Sequence, residues 1–133
     1  MATTFAEALE NLSLLPDWEQ RFAYMMELAD ELPPFPEADK TDANLVRGCT
    51  SRVWMTHGWD GEGRLVLALD SDALLVRGLL ALVWLAYQGQ TRDKLATINL
   101  PAQLDKLGLS ANLSPNRRNG LASVVARLAG LGA

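Results

Sequence analysis

The sequence predicts an α+β fold, in which helices pack on one face of a small antiparallel β-sheet of about three strands. Apolar residues recur at helical spacing over the first 32 residues and again after residue 71. Between these regions, residues 44–69 are rich in β-forming side chains. Strands grouped in the middle and helices grouped at both ends are typical of α+β proteins. With 133 residues, the chain has the size of one ordinary domain, and we expect a single domain over residues 1–133.

Two helices are predicted in the first third of the chain. Thr4 and Glu7 have the spacing of a capping box, and Asp17 is a candidate N-cap for the second helix. The second helix carries an apolar stripe with spacings of four, three, four and three residues: Trp18, Phe22, Met25, Ala29 and Leu32. The proline-rich segment 33–36 ends this helix, because proline and the residue before it disfavour helical backbone.

The middle of the chain is predicted to form the sheet. Residues 44–47 are expected to be a short first strand, and residues 52–59 a second strand rich in β-branched and aromatic side chains. The turn at residues 60–63 contains two glycines and leads into a third strand at residues 64–69. Strands two and three therefore form a β-hairpin.

Helices are predicted again after the sheet. The helix at residues 72–87 is apolar nearly all round, so we expect it to be buried at the centre of the fold. Two short helices follow at residues 91–96 and 101–107. Ser114 is followed by proline, which is the N-cap and N1 pattern of a helix start, and the last helix is predicted to reach about residue 128.

The charge is unevenly distributed along the chain. The formal net charge of −4 argues against general nucleic-acid binding. Residues 1–42 carry ten acidic and two basic side chains, whereas residues 43–133 carry six acidic and ten basic ones. Two segments of opposite net charge are suited to pair with each other or to steer a charged partner protein. The plainer interpretation is an ordinary solvated surface.

Targeting signals are not evident in the sequence. The first seven residues have neither a basic nor an apolar region of a signal peptide. The longest apolar run, residues 79–87, is shorter than the roughly 20 residues that span a bilayer. We therefore expect a soluble, cytoplasmic protein.

The chain has one cysteine, Cys49, and one histidine, His57. A single thiol excludes an internal disulfide, a CxxC redox pair and an all-cysteine metal site within one chain. A single histidine excludes a zinc site with three histidine ligands. We therefore expect neither a metal nor a cofactor.

Cys49 lies between two predicted strands and not in an apolar run. Its neighbours are all small, polar or cationic: Arg47, Gly48, Thr50, Ser51 and Arg52. Flanking cations favour the thiolate, a glycine gives the turn conformational freedom, and the hydroxyl residues are suited to hold an anionic sulfur. This setting predicts a nucleophilic thiol. The alternative is an inert cysteine, since a lone cysteine is often only a small buried hydrophobic residue.

Few reactions are open to a single thiol. A cysteine hydrolase needs a base, and His57, the only candidate, has no evident acid or amide to orient it. A thiol peroxidase also lacks a convincing base and a peroxide-site motif. A carrier that accepts a group on its thiol and passes it on needs only the thiol, because its partner supplies the catalytic machinery.

The stretch Asn44–Trp54 resembles the signature of the SufE family, which includes the CsdE branch. The shared pattern is an apolar residue, any residue, Gly-Cys, a polar residue, Ser, any residue and Val-Trp. The resemblance extends over about residues 15–130. Its further segments are Trp18-Glu19 with Glu27-Leu28 and Leu32-Pro33, then Asp70–Ala73 with Val76 and Gly78, and Leu113–Arg117 with Gly120-Leu121.

The resemblance implies a role in sulfur transfer. SufE-like proteins take sulfur from the persulfide of a pyridoxal-phosphate cysteine desulfurase, SufS- or CsdA-like, and stimulate that enzyme. They carry the sulfur as a persulfide on their own cysteine, here Cys49, and pass it to an iron–sulfur cluster scaffold. Their fold is shared with scaffold proteins of the IscU type. In this family the thiol is sheltered by apolar residues, which Val46, Val53 and Trp54 are expected to supply.

Two further residues match family positions near the desulfurase contact, Asp72 and Arg117. For Arg117 the structural alternative is a salt bridge to Asp70 or Asp72, because a cation in the first turn of a helix opposes the helix dipole. For Asp72 the alternative is a favourable charge at the start of the helix that follows it.

Overall fold

The computed structural model describes residues 3–47 and 51–132. In chain order the regular elements are α1 (Phe5–Leu14), α2 (Trp18–Ala29), β1 (Val53–Trp59), β2 (Leu65–Ser71), α3 (Leu74–Tyr87), α4 (Arg92–Leu95), α5 (Leu100–Lys106) and α6 (Pro115–Leu131). Single 3₁₀ turns occur at Glu37–Asp39, Asp42–Asn44 and Ser110–Asn112. The predicted α+β class is confirmed.

The sheet is an antiparallel hairpin of β1 and β2. The register runs from Val53 opposite Ser71 to Trp59 opposite Leu65. The turn is closed by Asp60, whose Oδ1 accepts the backbone N–H groups of Glu62 at 2.8 Å and Arg64 at 2.9 Å.

The prediction of about three strands is wrong by one. Residues 44–47 do not form a strand within the described chain, and Leu45 makes only an isolated bridge to Trp54. The reason is that a 3₁₀ turn occupies Asp42–Asn44, so only two residues are left to run alongside β1 before the chain turns. The single ladder bond there is from the Val46 N–H to the Val53 carbonyl, at 2.8 Å.

Helix α3 is the centre of the core, as its all-round apolar sequence predicts. Its residues 78–83 are all buried, and it packs against α2 on one side and the inner face of the sheet on another. Its C-terminal end is tied to β2, because the Trp84 Nε1–H donates to the Leu67 carbonyl at 2.8 Å. Helix α6 packs on α3 with Val124 and Leu128 buried. No helix in residues 3–47 and 51–132 is both long and apolar enough to cross a membrane.

Helix starts follow the predicted capping signals, with one exception. Thr4 and Glu7 form both bonds of the capping box, and Ser114 caps α6 ahead of its N1 proline. Helix α3 begins at Leu74, two residues later than predicted. The delay has a physical cause, since Ser71 and Asp72 are engaged by the backbone of Arg52 at the end of the sheet.

Candidate functional site

The residues predicted to surround the thiol lie in the connection between the Leu45 bridge and β1. We call residues 47–52 the thiol loop. Gly48, Cys49 and Thr50 lie outside the described residues. Of the loop residues that are described, Arg47 and Arg52 are exposed to solvent and Ser51 is half-buried.

Both ends of the thiol loop are anchored at the same end of the sheet. On one side the Val46 N–H donates to the Val53 carbonyl at 2.8 Å. On the other side the Arg52 carbonyl accepts the Ser71 hydroxyl at 2.7 Å and the Asp72 N–H at 3.3 Å. The Asp72 carboxylate also accepts the Arg52 N–H at 3.1 Å. These bonds fix the points at which the loop leaves and rejoins the fold.

Asp72 therefore has a defined structural position. It lies two residues before α3 begins, and its carboxylate accepts the backbone N–H of Arg52, the last residue of the thiol loop. The partner contact expected of Asp72 stays a prediction, and so does the alternative of a favourable charge at the start of α3.

An open cleft of about 410 Å³ lies beside the loop, between β1, α3 and α6. Its apolar walls come from three elements: Val53, Val76, Leu79, Leu80, Leu121 and Val124. Ser51 of the thiol loop and Arg117 of α6 are polar members of the lining. The cleft therefore joins the segment that carries the thiol to one cation, within a lining that is mostly apolar and also includes Asn116.

Arg117 does not form either salt bridge that the sequence suggested. Within residues 3–47 and 51–132 it makes no ion pair. Asp70 pairs instead with Lys40, at 3.2 Å, and with Arg77, at 3.0 Å. The Arg117 backbone N–H donates to the Ser114 cap, which places the residue in the first turn of α6, facing the cleft.

The three residues expected to shelter the thiol lie in different places. Val53 lines the cleft, whereas Val46 is buried in the main core. Trp54, adjacent to Val53 on β1, is buried beneath Lys40, whose Nζ lies 5.5 Å from the centre of the Trp54 ring. Of the three, only Val53 is a wall of the cleft.

A charged cluster around Lys40 was not predicted from the sequence. Its Nζ bonds Glu37 at 2.8 Å and Asp70 at 3.2 Å, and Asp70 is the register partner of Trp54. The hydrogen bonds to Glu37 and then to Asp70 raise the pKa of Lys40 above its usual value of 10.5. The cluster fastens the segment that leads into the thiol loop onto the sheet. The residues next to Lys40 in the sequence do not indicate this cluster, because Asp70, the partner of Lys40 on the sheet, is distant in sequence.

His57 is not part of the cleft. Its side chain is exposed on β1, and its ring meets Trp59 edge-on at a centroid distance of 6.5 Å. It therefore makes no contribution to the walls beside the thiol loop.

Comparisons with known proteins bear on the identity of this fold and site. The family model described as "SufE: Fe-S metabolism associated domain" matches residues 6–131. A protein of Rhizobium meliloti named as an uncharacterized SufE-like protein is 34% identical over 129 residues, which are 95% of this chain and 92% of that protein. A SufE-like protein of Rhizobium etli is 38% identical over 125 residues, covering 92% of this chain and 84% of its own.

A solved structure agrees in fold. The solution structure of a hypothetical protein from Thermus thermophilus superposes with a TM-score of 0.77, covering 96% of this chain and 92% of that one. At 23% identity this likeness bears on the fold alone. The family model and the two rhizobial relatives carry the assignment: the chain belongs to the SufE family of sulfur-transfer accessory proteins.

Proposed function

We propose that this chain is a sulfur acceptor and carrier, working as one SufE-like domain over residues 1–133. Cys49 takes persulfide sulfur from a pyridoxal-phosphate cysteine desulfurase of the SufS or CsdA kind. By clearing the donor's persulfide, the chain stimulates that enzyme, and it then passes the sulfur to an iron–sulfur cluster scaffold or another acceptor. SufE proteins work with cysteine desulfurases, which supports this choice of donor.

The observation that carries the proposal is the anchored thiol loop beside an apolar cleft. Cys49 is two residues from Ser51, and Ser51 lines the cleft. Two residues of extended chain span at most about 7 Å, which limits how far the Cys49 Cα can lie from the Ser51 Cα. Hydrogen bonds fix the described ends of the loop, and Cys49 lies between those ends in the sequence.

The transfer step needs only the Cys49 thiolate and the donor's persulfide. The Cys49 thiolate attacks the outer sulfur of the donor's persulfide, R–S–SH. The new S–S bond forms on Cys49 as the donor's S–S bond breaks, and the donor cysteine leaves as a thiolate. The outer sulfur keeps its proton, so the products are a Cys49 persulfide and the donor thiolate, with no net oxidation or reduction.

The described residues of the thiol loop and the cleft would act on a thiolate in opposite directions. Apolar walls disfavour a thiolate, whereas the cations Arg47 and Arg52 of the loop and Arg117 of the cleft lining favour it. A carrier that reacted with any small thiol would lose its sulfur. We therefore expect shelter to dominate in the free protein, with slow alkylation of Cys49, and the loop to open when the desulfurase binds.

The test uses desulfurase turnover with cysteine and a reductant. Wild-type protein should raise the turnover, whereas Cys49→Ser should bind the desulfurase without raising it. Equal stimulation by the variant would mean an allosteric effect and would contradict the transfer mechanism. Peroxide reduction or ester hydrolysis by the chain alone, lost in Cys49→Ser, would instead support a thiol enzyme.

Alkylation by iodoacetamide separates a sheltered thiol from an inert one. Because the chain has one cysteine, all labelling reports on Cys49. The rate should be low in the folded protein, high in urea and intermediate or high with a substrate-free desulfurase bound. A thiol as reactive when folded as when unfolded, and only protected by the partner, contradicts the shelter.

A further inference from the structure

The edge of β1 that faces away from β2 carries outward-pointing backbone groups. The Asp60 N–H donates to the Arg64 carbonyl at 2.9 Å, so these two residues form a hydrogen-bonded pair beside the hairpin turn. Hydrogen-bonded and non-hydrogen-bonded pairs alternate along an antiparallel ladder. His57 and Trp59 therefore occupy non-hydrogen-bonded positions, and the N–H and carbonyl groups of both residues point away from β2.

These four groups are unpaired in the part of the chain that the structure describes. No hydrogen bond reaches the N–H or the carbonyl of His57 or Trp59 from residues 3–47 or 51–132. The bridge from Leu45 occupies the edge only at Trp54, so the edge lies open from Thr56 to the hairpin turn. Such an open strand edge is a template for a further strand.

The corresponding stretch of β2 is closed on its outer edge. The Leu67 N–H donates to Gln88 Oε1 at 2.7 Å, and the Leu67 carbonyl accepts the Trp84 Nε1–H at 2.8 Å. Leu65 is bonded in the same way, because its N–H and its carbonyl both bond backbone groups of residues 89–90 at 2.9 Å. A further strand is therefore admitted beside β1 and not beside this part of β2.

The sequence of β1 lacks the usual protection of an edge strand. Val53–Trp59 contains no lysine, arginine, carboxylate or proline, and its register with β2 is free of bulges. A Cβ at Gly58 would meet nothing within 4 Å, so packing inside the chain does not require a glycine there. Glycine within a strand often marks a place where another backbone approaches closely. Its register partner Val66 is 50% exposed on the same open face.

We propose that β1 pairs antiparallel with β1 of a second copy of this chain, about a two-fold axis at Gly58. Gly58 then lies opposite Gly58 of the second copy, and His57 lies opposite Trp59 of the second copy. Each of the two His57–Trp59 pairs exchanges two N–H···O bonds, so four bonds use every outward group of both residues in both chains. The pairing also places an imidazole beside an indole across the strands, which favours association.

The open edge has the length that this register needs. Thr56 of one copy lies opposite Asp60 of the other, and the hairpin turn ends the pairing before it reaches the Leu45 bridge. Because the interface is isologous and the outer edge of β2 is closed beside it, the assembly stops at two copies.

The proposed interface does not include the thiol loop. Val53, where β1 begins after the loop, is five residues from Gly58, which is about 17 Å along the strand. The two thiol loops therefore leave the four-stranded sheet at its opposite ends. The inference is independent of the proposed sulfur transfer, because the interface uses residues that take no part in it.

Sedimentation velocity measures the association, with a reductant present so that Cys49 cannot link two chains by a disulfide. The paired segments are short and bury less than the roughly 1,200 Å² of a standard interface, so we expect a dissociation constant on the order of 100 µM. The chain should be mostly monomeric at about 5 µM and mostly dimeric at about 500 µM.

Hydrogen exchange at the same two concentrations locates the interface. The His57 and Trp59 amides should exchange on the order of threefold more slowly in the concentrated sample, because the dimer protects them. The Leu67 amide serves as the internal control, since its bond to Gln88 is present in either state.

His57→Pro removes one outward N–H and no bond within the hairpin, since proline is tolerated at the open edge of a strand. It should weaken the dimer at least about tenfold. The matched control, His57→Thr, keeps the N–H and should stay within about threefold of wild type.

Gly58→Lys provides a second variant, in which two ammonium groups face each other across the axis. It should also weaken the dimer at least about tenfold, because like charges directly opposite each other repel. Val66→Lys is its control, since it places the same charge on the same face but one strand further from the axis, and it should keep the dimer. Circular dichroism checks that each variant is folded.

Three outcomes would overturn the inference. One is a monomer over the whole concentration range, and another is a dimer that Gly58→Lys leaves intact or that forms without protection of the His57 and Trp59 amides. The third is assembly that continues beyond two copies, because the proposed pairing is closed. If His57→Pro fails to fold, Gly58→Lys and the amide exchange of wild type decide. Sulfur on Cys49 is measured separately, so none of these outcomes is confused with failure of the proposed function.

Discussion

Replacing Gly78 by alanine should disturb the contact that holds α3, a wall of the cleft, against α2. A Cβ at position 78 would lie 2.9 Å from the Met25 carbonyl oxygen and 3.0 Å from its carbon. These are backbone atoms of a fully buried residue, so no side-chain rotation relieves the overlap. One helix must move away from the other by several tenths of an ångström.

The expected loss follows from two opposing effects. Overpacking a well-packed core costs about 1–3 kcal/mol, and a rigid backbone contact belongs in the upper half of that range. Alanine regains about 1 kcal/mol through its higher helix propensity. The net loss in the free energy of unfolding is therefore about 1–2 kcal/mol, or roughly 3–10 °C in Tm for a chain of this length.

Urea and thermal unfolding followed by circular dichroism measure this loss. Gly130→Ala is the matched control, since Gly130 lies in α6 and a Cβ there meets nothing within 4 Å. The control should raise stability, by about 0.5–1 kcal/mol. If Gly78→Ala proves as stable as Gly130→Ala, the close approach of α2 and α3 is not a constraint and the reasoning is refuted.

Three further predictions concern buried or hydrogen-bonded titratable groups. The Tyr87 hydroxyl is buried with no hydrogen-bond partner among the described residues, so Tyr87→Phe should stabilise the fold by up to about 1–3 kcal/mol; a clear loss of stability would contradict this. Burial also raises the pKa of Tyr87, so wild type should lose stability above about pH 10, where the unfolded tyrosine ionises first, and Tyr87→Phe should lose less. Hydrogen bonds to Glu37 and Asp70 raise the pKa of Lys40, so Lys40 should stabilise the fold below pH 10.5 and cease to do so as pH rises through its folded pKa. Lys40→Met should flatten this alkaline decline in stability and speed the alkylation of Cys49. If neither the decline nor the alkylation rate changes, the anchoring role of Lys40 is excluded. Hydrogen bonds from the backbone N–H groups of Arg64 and then Glu62 lower the pKa of Asp60, so Asp60 should stabilise the fold above pH 3.8 and cease to do so as pH falls through its lower folded pKa. In urea unfolding, Asp60→Ala should lack this loss of stability at acid pH. The same loss in wild type and variant would contradict the prediction.

The parts of the fold that the sequence predicted are those with local signals. Capping residues Thr4 and Ser114, the apolar stripe of α2 and the all-apolar α3 depend on neighbours within a turn or two. The prediction of a first strand at residues 44–47 failed because pairing is a tertiary property: Leu45 has β-forming neighbours, yet a 3₁₀ turn leaves it only one bridge partner.

The candidate site divides in the same way. The local sequence indicated the thiol loop and its arginines. The cleft could not be predicted from spacing, because its walls come from β1, α3 and α6, which meet only in the folded chain. The same holds for Lys40, whose partner Asp70 is thirty residues away, and for Arg117, which faces the cleft and not the acids proposed for it.

Intact-protein mass spectrometry tests the central claim, that Cys49 carries sulfur, most directly. The chain is incubated with a cysteine desulfurase and L-cysteine, and then separated without reductant. Wild type should gain one or more increments of about 32 Da, which a reductant removes, and Cys49→Ser should gain none. Equal gain by wild type and variant, or no gain by wild type while the desulfurase turns over, would contradict the account.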